Sequence, residues 1–326
     1  MTLANQTKLV TVFGGSGFVG RHIVRALAKR GYRIRVAVRR PDLAGHVLPA
    51  GNVGQIALVQ ANLRFRNSVD RAAQGSDYVI NCVGLLQESG RNKFDSVQDF
   101  GARAVAEAAR AAGAKLIHLS AIGADSGSSS DYARTKGMAE KAIREILPDA
   151  TILRPSIVFG PEDQFFNKFA DMARTAPFLP LIGGGKTAFQ PVYVGDIAEA
   201  VANLVDGKAL PGRIYELGGP EVLTFRQCLE IMLAEIDRDT PFISLPFPIA
   251  SLIGSIASLI PLLTPPITAD QVKLLKSDNV VSKEAEAEGR TLAALGVTPT
   301  LVASIIPSYL VHFRPQGQYA RTGKAA

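Results

Sequence analysis

The sequence has no tryptophan, two cysteines and four histidines among its 326 residues. Cys82 and Cys228 are far apart and neither belongs to a CxxC motif, so a disulfide framework and a zinc site are both disfavoured. The histidines are scattered without HxxxH spacing, which predicts that no metal is bound. Such limited use of cysteine indicates a reducing compartment.

Acidic residues are absent from the first 41 positions, whereas eight Lys or Arg lie between Arg21 and Arg40. The net charge of +7 is therefore concentrated in one short segment, which favours a local anionic ligand. Aromatic residues are few and are not interleaved with these cations, so no nucleic-acid partner is expected.

Long apolar runs are also missing. Residues 241–267 carry no charge, but their longest stretch without proline is the twelve residues 249–260. A membrane-spanning helix needs about 20 residues, so no transmembrane segment is predicted. The region is either a buried helix or a docking face for a partner or a membrane surface. The first predicted strand begins by Leu9 without an apolar leader, which indicates neither a secretory signal nor a transit peptide.

Strand-like apolar runs alternate with helical periodicity from LVTVF to ATILRPSIVFG. This rhythm predicts an α/β fold: a Rossmann-type doubly wound parallel sheet with a smaller C-terminal α/β lobe. We assign residues 1–160 to the sheet domain, with contributions from about 187–206. Residues 161–313 are assigned to the smaller lobe, and 314–326 to a flexible basic tail.

The glycine-rich turn FGGSGFVG follows the first strand and opens a periodic helix. It fits GxGxxG through Gly15, Gly17 and Gly20, or GxxGxxG from Gly14. Both spacings allow a sharp turn and a close approach of the main chain to a pyrophosphate. The free N–H groups of Ser16, Phe18 and Val19 are predicted to face phosphate oxygens.

The second strand ends in two arginines. NAD-binding sites of this kind place Asp or Glu there, to accept from the ribose hydroxyls, but RIRVAVRRP ends in Arg39 and Arg40. Their planar guanidinium groups suit a phosphate dianion, so the cofactor is predicted to be NADP(H) in preference to NAD(H). The alternative is a solvated surface pair.

Tyr132 and Lys136 in DYARTKGMAEKAI lie four residues apart at the start of a predicted helix, and therefore on one face. An ammonium beside a phenol lowers the phenol pKa, which predicts Tyr132 as a proton donor or acceptor near neutral pH. The short YxxxK pattern also fits an exposed helical pair.

In order along the chain, FGGSGFVG, NCVG, YARTK and LRPSIVFGP resemble the short-chain dehydrogenase/reductase superfamily in its extended or atypical branch. The resemblance implies that the glycines hold pyrophosphate and that Tyr132 and Lys136 form the active pair. The other cofactor contacts that it implies are adenine at Asn62 and Leu63, the cofactor wall at Val83 and Gly84, and the nicotinamide border from Pro155 to Ile157.

The resemblance also implies a Ser or Thr after the fifth strand, near the tyrosine. In HLSAIGAD that place falls on Ala121 or Ile122, and Ser120 is slightly early. Ser120 is therefore the catalytic candidate, with a hydroxyl in a displaced position. Loss of a donor to a reacting oxygen commonly costs about 10²-fold in rate, so efficient hydride chemistry is not expected.

A wider resemblance runs through GPEDQFFNKFADMARTAPFLPLIGGGKTAFQPVYVGDIAEAV, LPFPIASLIGSIASLI and PPITADQVKLLKSDNVVS. These segments are similar to the family of the nucleotide-binding accessory subunit of respiratory complex I and its bacterial relatives. That resemblance implies NADP(H) held with little or no turnover and partners among the peripheral-arm subunits. It implies a location at the cytoplasmic side of a bacterial inner membrane, or at the matrix side of the mitochondrial inner membrane.

Two other functions remain open on the residues alone. One is a free-standing NADP-dependent reductase, epimerase or isomerase that uses Tyr132 as acid and base. The other is a regulator that senses the ratio of NADP⁺ to NADPH through a partner-binding lobe.

Overall fold

The structure is a computed structural model that describes residues 7–88, 90, 92–258 and 268–319, apart from the side chains of 256–258 and 318. Its strands are β1 (Leu9–Phe13), β2 (Arg33–Val38), β3 (Ile56–Gln60), β4 (Tyr78–Asn81), β5 (Lys115–Leu119), β6 (Thr151–Pro155), β7 (Val158–Phe159), β8 (Leu179–Ile182), β9 (Ala188–Phe189), β10 (Val192–Tyr193), β11 (Ile214–Leu217), β12 (Leu223–Thr224) and β13 (Phe242–Leu245). Its α-helices are α1 (Phe18–Lys29), α2 (Arg66–Ala73), α3 (Phe100–Ala111), α4 (Asp131–Ile146), α5 (Phe166–Thr175), α6 (Val194–Val205), α7 (Phe225–Glu235), α8 (Phe247–Ser258), α9 (Ala269–Leu274), α10 (Lys283–Ala287), α11 (Val302–Ile305) and α12 (Pro307–Leu310).

Seven strands form one parallel sheet in the order β11-β6-β5-β4-β1-β2-β3. The order grows outward in both directions from the neighbours β1 and β4, so the predicted Rossmann-type fold is confirmed. Parallel strands end at one edge of their sheet, and such sheets bind ligands beyond the carboxyl ends of the strands at this reversal. The residues that follow β1, β2, β4 and β5 therefore define the candidate site.

Helix α1 shows why the sequence folds this way locally. It buries Gly20, Ile23, Val24 and Leu27, which lie on one face at helical spacing. The helix ends just before Gly31, whose φ of 86° favours glycine. The amphipathic pattern thus fixes which face of α1 packs on the sheet.

Alanine-rich helix α3 packs in the main core with residues of the strands. Ala102, Val105 and Ala109 of this helix are buried in one cluster with Val79 of β4 and Leu116 of β5. Burial of this apolar surface is the main force that holds the helix layer on the sheet.

Helix α4 carries the predicted Tyr-Lys pair and is fixed at its start. Ser130 caps it by accepting a hydrogen bond from the N–H of Ala133 at 3.3 Å. A Cβ on Gly137 would lie 2.2 Å from the Ser126 nitrogen, so only glycine allows the helix to approach the loop before it. The approach anchors α4 at the carboxyl edge of the sheet.

The chain divides into two compact units. The first comprises Met1–Pro155, Val194–Leu217 and Val281–Thr298, and the second comprises Ser156–Tyr193, Gly218–Val280 and Pro299–Ala326. Residues 281–298, assigned from sequence to the smaller lobe, belong with the sheet. Hydrogen bonds to β11 hold this segment there. Arg290 Nη1 donates to the Ile214 carbonyl at 2.9 Å, and the Arg290 carbonyl accepts from the Glu216 N–H.

The second unit has its own core, which is rich in phenylalanine. Phe165 packs edge-on against Phe166 and Phe169, with ring centroids 5.1 and 5.3 Å apart. Phe225 packs against Phe169 at 5.3 Å and against Phe189 at 6.3 Å. These rings give the second unit a hydrophobic core of its own.

The uncharged segment 241–267 is only partly buried where it is described. Ile249, Leu252 and Ile253 of α8 are 49%, 61% and 51% exposed, so the interpretation as a wholly buried helix is wrong for α8. Positions 259–267 of this segment, and positions 320–326 of the predicted tail, lie outside the described residues. None of the helices that the structure describes is long and apolar enough to cross a bilayer.

Candidate functional site

The glycine turn after β1 has the geometry that its sequence predicts. Gly14 adopts φ 75°, donates to the Ala37 carbonyl and accepts from the Gly17 N–H, both at 3.0 Å. A Cβ on Gly20 would lie 2.2 Å from the Gly14 oxygen. The first and last glycines therefore lie in close contact, and no side chain fits at position 20.

Helix α1 begins without a side-chain cap. Its N-cap is Gly17, and its first turn contains no acidic residue. First-turn N–H groups such as those of Phe18 and Val19 have no acceptor within a helix, and they carry the positive end of its dipole. The glycine positions of the cradle carry no side chain and the helix start favours negative charge, so the turn fits the pyrophosphate of a dinucleotide.

Two basic side chains hold this turn that the sequence analysis did not single out. The Ser16 carbonyl lies 3.2 Å from His46 Nε2 and accepts from Arg21 Nη2 at 3.3 Å. His46 comes from the segment after β2, 30 residues away. No local motif marks that contact, so sequence spacing alone gave no signal for it.

Arg39 and Arg40 follow β2 as predicted and are exposed, but they have different partners. Arg39 donates to the neutral amide oxygen of Asn92 at 2.9 Å. Arg40 forms an ion pair with Asp42 at 2.7 Å, and this carboxylate raises the pKa of the Arg40 guanidinium. Within the described residues, Arg39 therefore has no acidic partner beside β2, whereas the charge of Arg40 is balanced by Asp42.

Asn62 and Leu63 follow β3, and their side chains have different structural roles. The Asn62 side-chain oxygen accepts from the Arg64 N–H at 3.2 Å, which closes a local turn. The Leu63 side chain is 6% exposed and packs so closely on α3 that a Cβ on Gly101 would lie 2.9 Å from it. The Leu63 side chain is therefore a core residue, and the adenine contact of this pair stays a prediction.

The segment after β4 passes beside both the glycine turn and α4. A Cβ on Gly14 would lie 3.0 Å from Val83 Cγ2, and one on Gly84 would lie 3.6 Å from Lys136 Nζ. The Val83 N–H donates to Asn81 Oδ1 at 3.1 Å. Val83 and Gly84, which the sequence analysis assigned to the cofactor wall, thus lie next to the turn and the lysine.

Lys136 is buried at 4% exposure and donates to the Leu119 carbonyl at 2.9 Å. Burial lowers the pKa of its ammonium to about 8, and the negative charge of Glu140 partly opposes that change. The hydrogen bond to Leu119 therefore fixes the Lys136 ammonium next to Gly84.

Tyr132 does not have the predicted acidity. Burial raises the pKa of its phenol to about 12, and Lys136 does not lower it. The ring packs edge-on against Phe94, with centroids 6.0 Å apart. The prediction of a phenol that ionises near neutral pH is wrong for this structure, because desolvation is the dominant effect.

Ser120 lies in a buried polar cluster instead of facing a reacting oxygen. Its hydroxyl donates to the Glu140 carboxylate, which also binds Arg154 Nη2 at 2.6 Å. Arg154 lies 3.6 Å from Glu216 as well. The Ser120 hydroxyl is thus engaged in a structural ion-pair network, which argues against the catalytic role assigned to it from sequence.

Pro155 and Ile157 belong to different units. Pro155 ends β6, and its carbonyl accepts from the Ile122 N–H at 3.0 Å. Ile157 packs on the phenylalanine-rich core, and its carbonyl accepts from the Val192 N–H at 2.9 Å. Their predicted place beside a nicotinamide stays a prediction.

Comparisons with known proteins agree with this geometry. The model of the NAD dependent epimerase/dehydratase family matches residues 10–218. The chain is 35% identical over 320 residues to NADH dehydrogenase (ubiquinone) 1 alpha subcomplex subunit 9, mitochondrial, of Arabidopsis thaliana, which covers 95% of this chain and 79% of that protein. It is 39% identical over 174 residues to the ceramide reductase of Caulobacter vibrioides, which covers 53% of this chain and 54% of that protein.

A solved structure supports the fold. The Thermus thermophilus UDP-glucose 4-epimerase in complex with NAD matches with a TM-score of 0.65 and 21% identity, over 94% of this chain and 99% of that chain. At this identity the likeness establishes the architecture and leaves the activity to the site itself.

Proposed function

Because the chain belongs to the NAD dependent epimerase/dehydratase family, and within it to the family of the alpha subcomplex subunit 9 relatives, we propose that it is an NADP(H)-binding subunit of NADH:quinone oxidoreductase. In this proposal the dinucleotide is held with little or no turnover. The partners are peripheral-arm subunits of that complex, and the protein lies at the inner membrane without spanning it.

The closely packed glycines support the binding of a dinucleotide. The turn from Gly14 to Gly20 leaves main-chain N–H groups at the start of α1 for the pyrophosphate. Lys136, behind Gly84, is suited to hold ribose hydroxyls. When bound, a nicotinamide dinucleotide supplies a ring that exchanges hydride.

The charge at the end of β2 supports NADP(H) over NAD(H). Arg39 and Arg40 follow the strand directly, where NAD-binding sites place a carboxylate, and the partner of Arg39 among the described residues is the neutral amide of Asn92. A guanidinium that is bonded to a neutral amide can still form a charge-assisted hydrogen bond, which favours the binding of a phosphate dianion. Arg40 contributes less, because Asp42 already pairs with it.

Two features of the site argue for retention without efficient turnover. The Ser120 hydroxyl donates its hydrogen bond to Glu140 and is therefore not available to polarise a carbonyl. Tyr132 has a pKa of about 12, which makes it a weak acid at neutral pH. These features support a site that binds a dinucleotide but is poorly matched to proton transfer.

Similarity along 95% of the chain to a protein named as a subunit of NADH dehydrogenase is the observation that carries this proposal. The test is to fractionate native membranes and follow this chain together with NADH:quinone oxidoreductase activity. Comigration, with NADPH released from the purified protein and identified by mass spectrometry, is the expected result. Recovery only as a free protein, in a cell that contains the complex, would contradict it.

A reductase is the second candidate, favoured by the 39% identity to the ceramide reductase. In that case Tyr132 acts as the proton donor to a carbonyl of a lipid-like substrate. Tyr132→Phe separates the two proposals, since it removes only the phenol oxygen. Loss of carbonyl reduction in that variant supports the reductase, whereas unchanged assembly and unchanged bound nucleotide support the subunit.

A further inference from the structure

Two buried polar residues face each other at the ends of β4 and β5. Asn81 is 1% exposed, His118 is 2% exposed, and the register of the two strands places them side by side. Asn81 Nδ2 lies 3.2 Å from His118 Nδ1. This pair lies directly before the Val83 and Gly84 segment.

The direction of the hydrogen bond follows from a third partner. The Val83 N–H donates to Asn81 Oδ1 at 3.1 Å, so the oxygen of the amide is assigned to Val83 and its NH₂ faces the ring. His118 Nδ1 must then accept, and the neutral ring carries its proton on Nε2. The Val83 N–H and His118 Nδ1 together fix which way the Asn81 amide points.

The ring is held neutral. Burial lowers the pKa of His118 to about 3, and the positive charge of Lys136 acts in the same direction. Its Nε2 finds no hydrogen-bond partner within the part of the chain that the structure describes. A buried Nε2–H without an acceptor costs stability, so this nitrogen does not explain why a histidine is buried here. The useful contribution of the ring is the hydrogen-bond acceptor at Nδ1.

The main chain that this pair holds runs between the two parts of the candidate site. Val83 contacts the first glycine of the turn, since a Cβ on Gly14 would lie 3.0 Å from its side chain. Gly84 lies next to Lys136, since its own Cβ would be 3.6 Å from Nζ. A rotation of the Asn81 amide would therefore move both contacts together.

We propose that His118 is a positioning residue of the dinucleotide site, acting through Asn81 to hold the main chain at Val83 against the glycine turn. The inference rests on the proposed function for its ligand, NADPH, and on the hydrogen bonds alone for its geometry.

The test compares His118→Phe with His118→Asn in the full chain. Phe keeps a ring but offers no acceptor, whereas the Asn amide oxygen lies the same number of bonds from the backbone as Nδ1. Exchange of the Val83 N–H is measured without nucleotide, and NADPH affinity is measured by titration. We expect exchange to be about 10-fold faster and binding about 10-fold weaker in His118→Phe, with both restored to within about 3-fold in His118→Asn.

Thr11→Val is the matched control. Thr11 is a fully buried residue of β1, and its hydroxyl contacts Ser76 Oγ at 2.7 Å and the Ala72 carbonyl at 3.1 Å. This variant should lower the free energy of unfolding while leaving Val83 exchange and NADPH affinity unchanged. If it accelerates Val83 exchange as much as His118→Phe, the effect is general loosening and the proposal fails.

Other outcomes would also overturn the role of His118 or the proposed function. Unchanged Val83 exchange in His118→Phe, or no rescue by His118→Asn, overturns the role of His118. If the larger Phe ring prevents folding, His118→Leu provides the same comparison. A wild-type protein that binds no NADPH overturns the proposed function instead, and the exchange measured without nucleotide keeps that failure separate.

Discussion

The carboxyl edge of the sheet differs sharply between its two halves. After β2, Arg39 and Arg40 are exposed and pair with the surface residues Asn92 and Asp42. At the ends of β4 and β5, Asn81 and His118 are at most 2% exposed and bond to each other. One half is a charged surface, and the other is a buried polar layer.

The difference determines what each half can do. Exposed charges are screened and contribute little to folding, so the residues after β2 can specialise for a ligand. Buried polar groups lose their hydration and must satisfy one another, so the residues at the ends of β4 and β5 affect the fold and the site together. Substitutions in the two halves should therefore have different consequences.

Removal of the buried carboxylate should have the largest effect. Glu140→Ala leaves Arg154 without its close partner and Ser120 without its acceptor. Breaking a buried pair of this kind costs about 3 to 5 kcal/mol of unfolding free energy. Denaturation in urea measures the loss.

Asp171→Ala is the control for that measurement. Asp171 pairs with Arg174 at 2.7 Å, but both side chains are half exposed. Loss of such a surface pair should cost less than about 1 kcal/mol. Equal losses in the two variants would contradict the contrast between buried and exposed charge.

Arg39→Ala should have the next largest effect, and on binding alone. Loss of a charged contact to phosphate is worth about 1.5 to 3 kcal/mol, so NADPH should bind about 10- to 100-fold more weakly. Affinity for NADH and the free energy of unfolding should not change. Titration with both nucleotides measures the preference.

Arg33→Ala provides the comparison for Arg39, because Arg33 is exposed at the opposite end of the same strand. It removes the same positive charge far from the carboxyl edge. A similar loss of NADPH affinity in both variants would mean that Arg39 acts only through net charge.

The contrast also explains what the sequence could predict. The glycine turn and the two arginines each lie in one short segment, so a local pattern was enough to predict a chemistry for them. Ser120 bonds to a residue 20 positions away, and Asn81 to one 37 positions away. Those pairings depend on strand register and helix placement, which a single sequence does not specify.

The pKa of Tyr132 shows the same limit. Its spacing from Lys136 was read correctly from the sequence, and both residues lie on α4. The direction of the change was wrong because burial raises the pKa of the phenol and Lys136 does not lower it. Desolvation depends on packing from distant segments, among them Phe94, and no local motif encodes it.

A smaller effect is expected from the buried ammonium. Lys136 has a pKa of about 8 when folded, below its ordinary value, so above pH 8 the folded protein loses this proton before the unfolded chain does. The contribution of Lys136 to the free energy of unfolding therefore rises with pH. In Lys136→Met the charge is absent, and the difference in unfolding free energy between variant and wild type should shift by about 1 kcal/mol in favour of wild type from pH 8 to 9.

The difference in unfolding free energy between wild type and variant cancels the contribution of every group that titrates equally in both proteins. Cys228, for example, is buried with a pKa raised to about 12, and it titrates with the same effect in wild type and variant. A difference that stays constant from pH 7 to 9 would contradict a depressed pKa at Lys136.

The smallest expected change concerns the charge balance after β2. Asp42 pairs with Arg40 through contacts of 2.7 to 3.2 Å, and both side chains are more than half exposed. Asp42→Asn should release this guanidinium and remove a negative charge from the proposed phosphate site. Since a surface pair is worth less than about 1 kcal/mol, NADPH should bind about 2- to 5-fold more tightly, with NADH unaffected. In the Arg40→Ala background the gain should disappear if Asp42 acts through Arg40, whereas a gain that persists there would mean that Asp42 repels the phosphate directly.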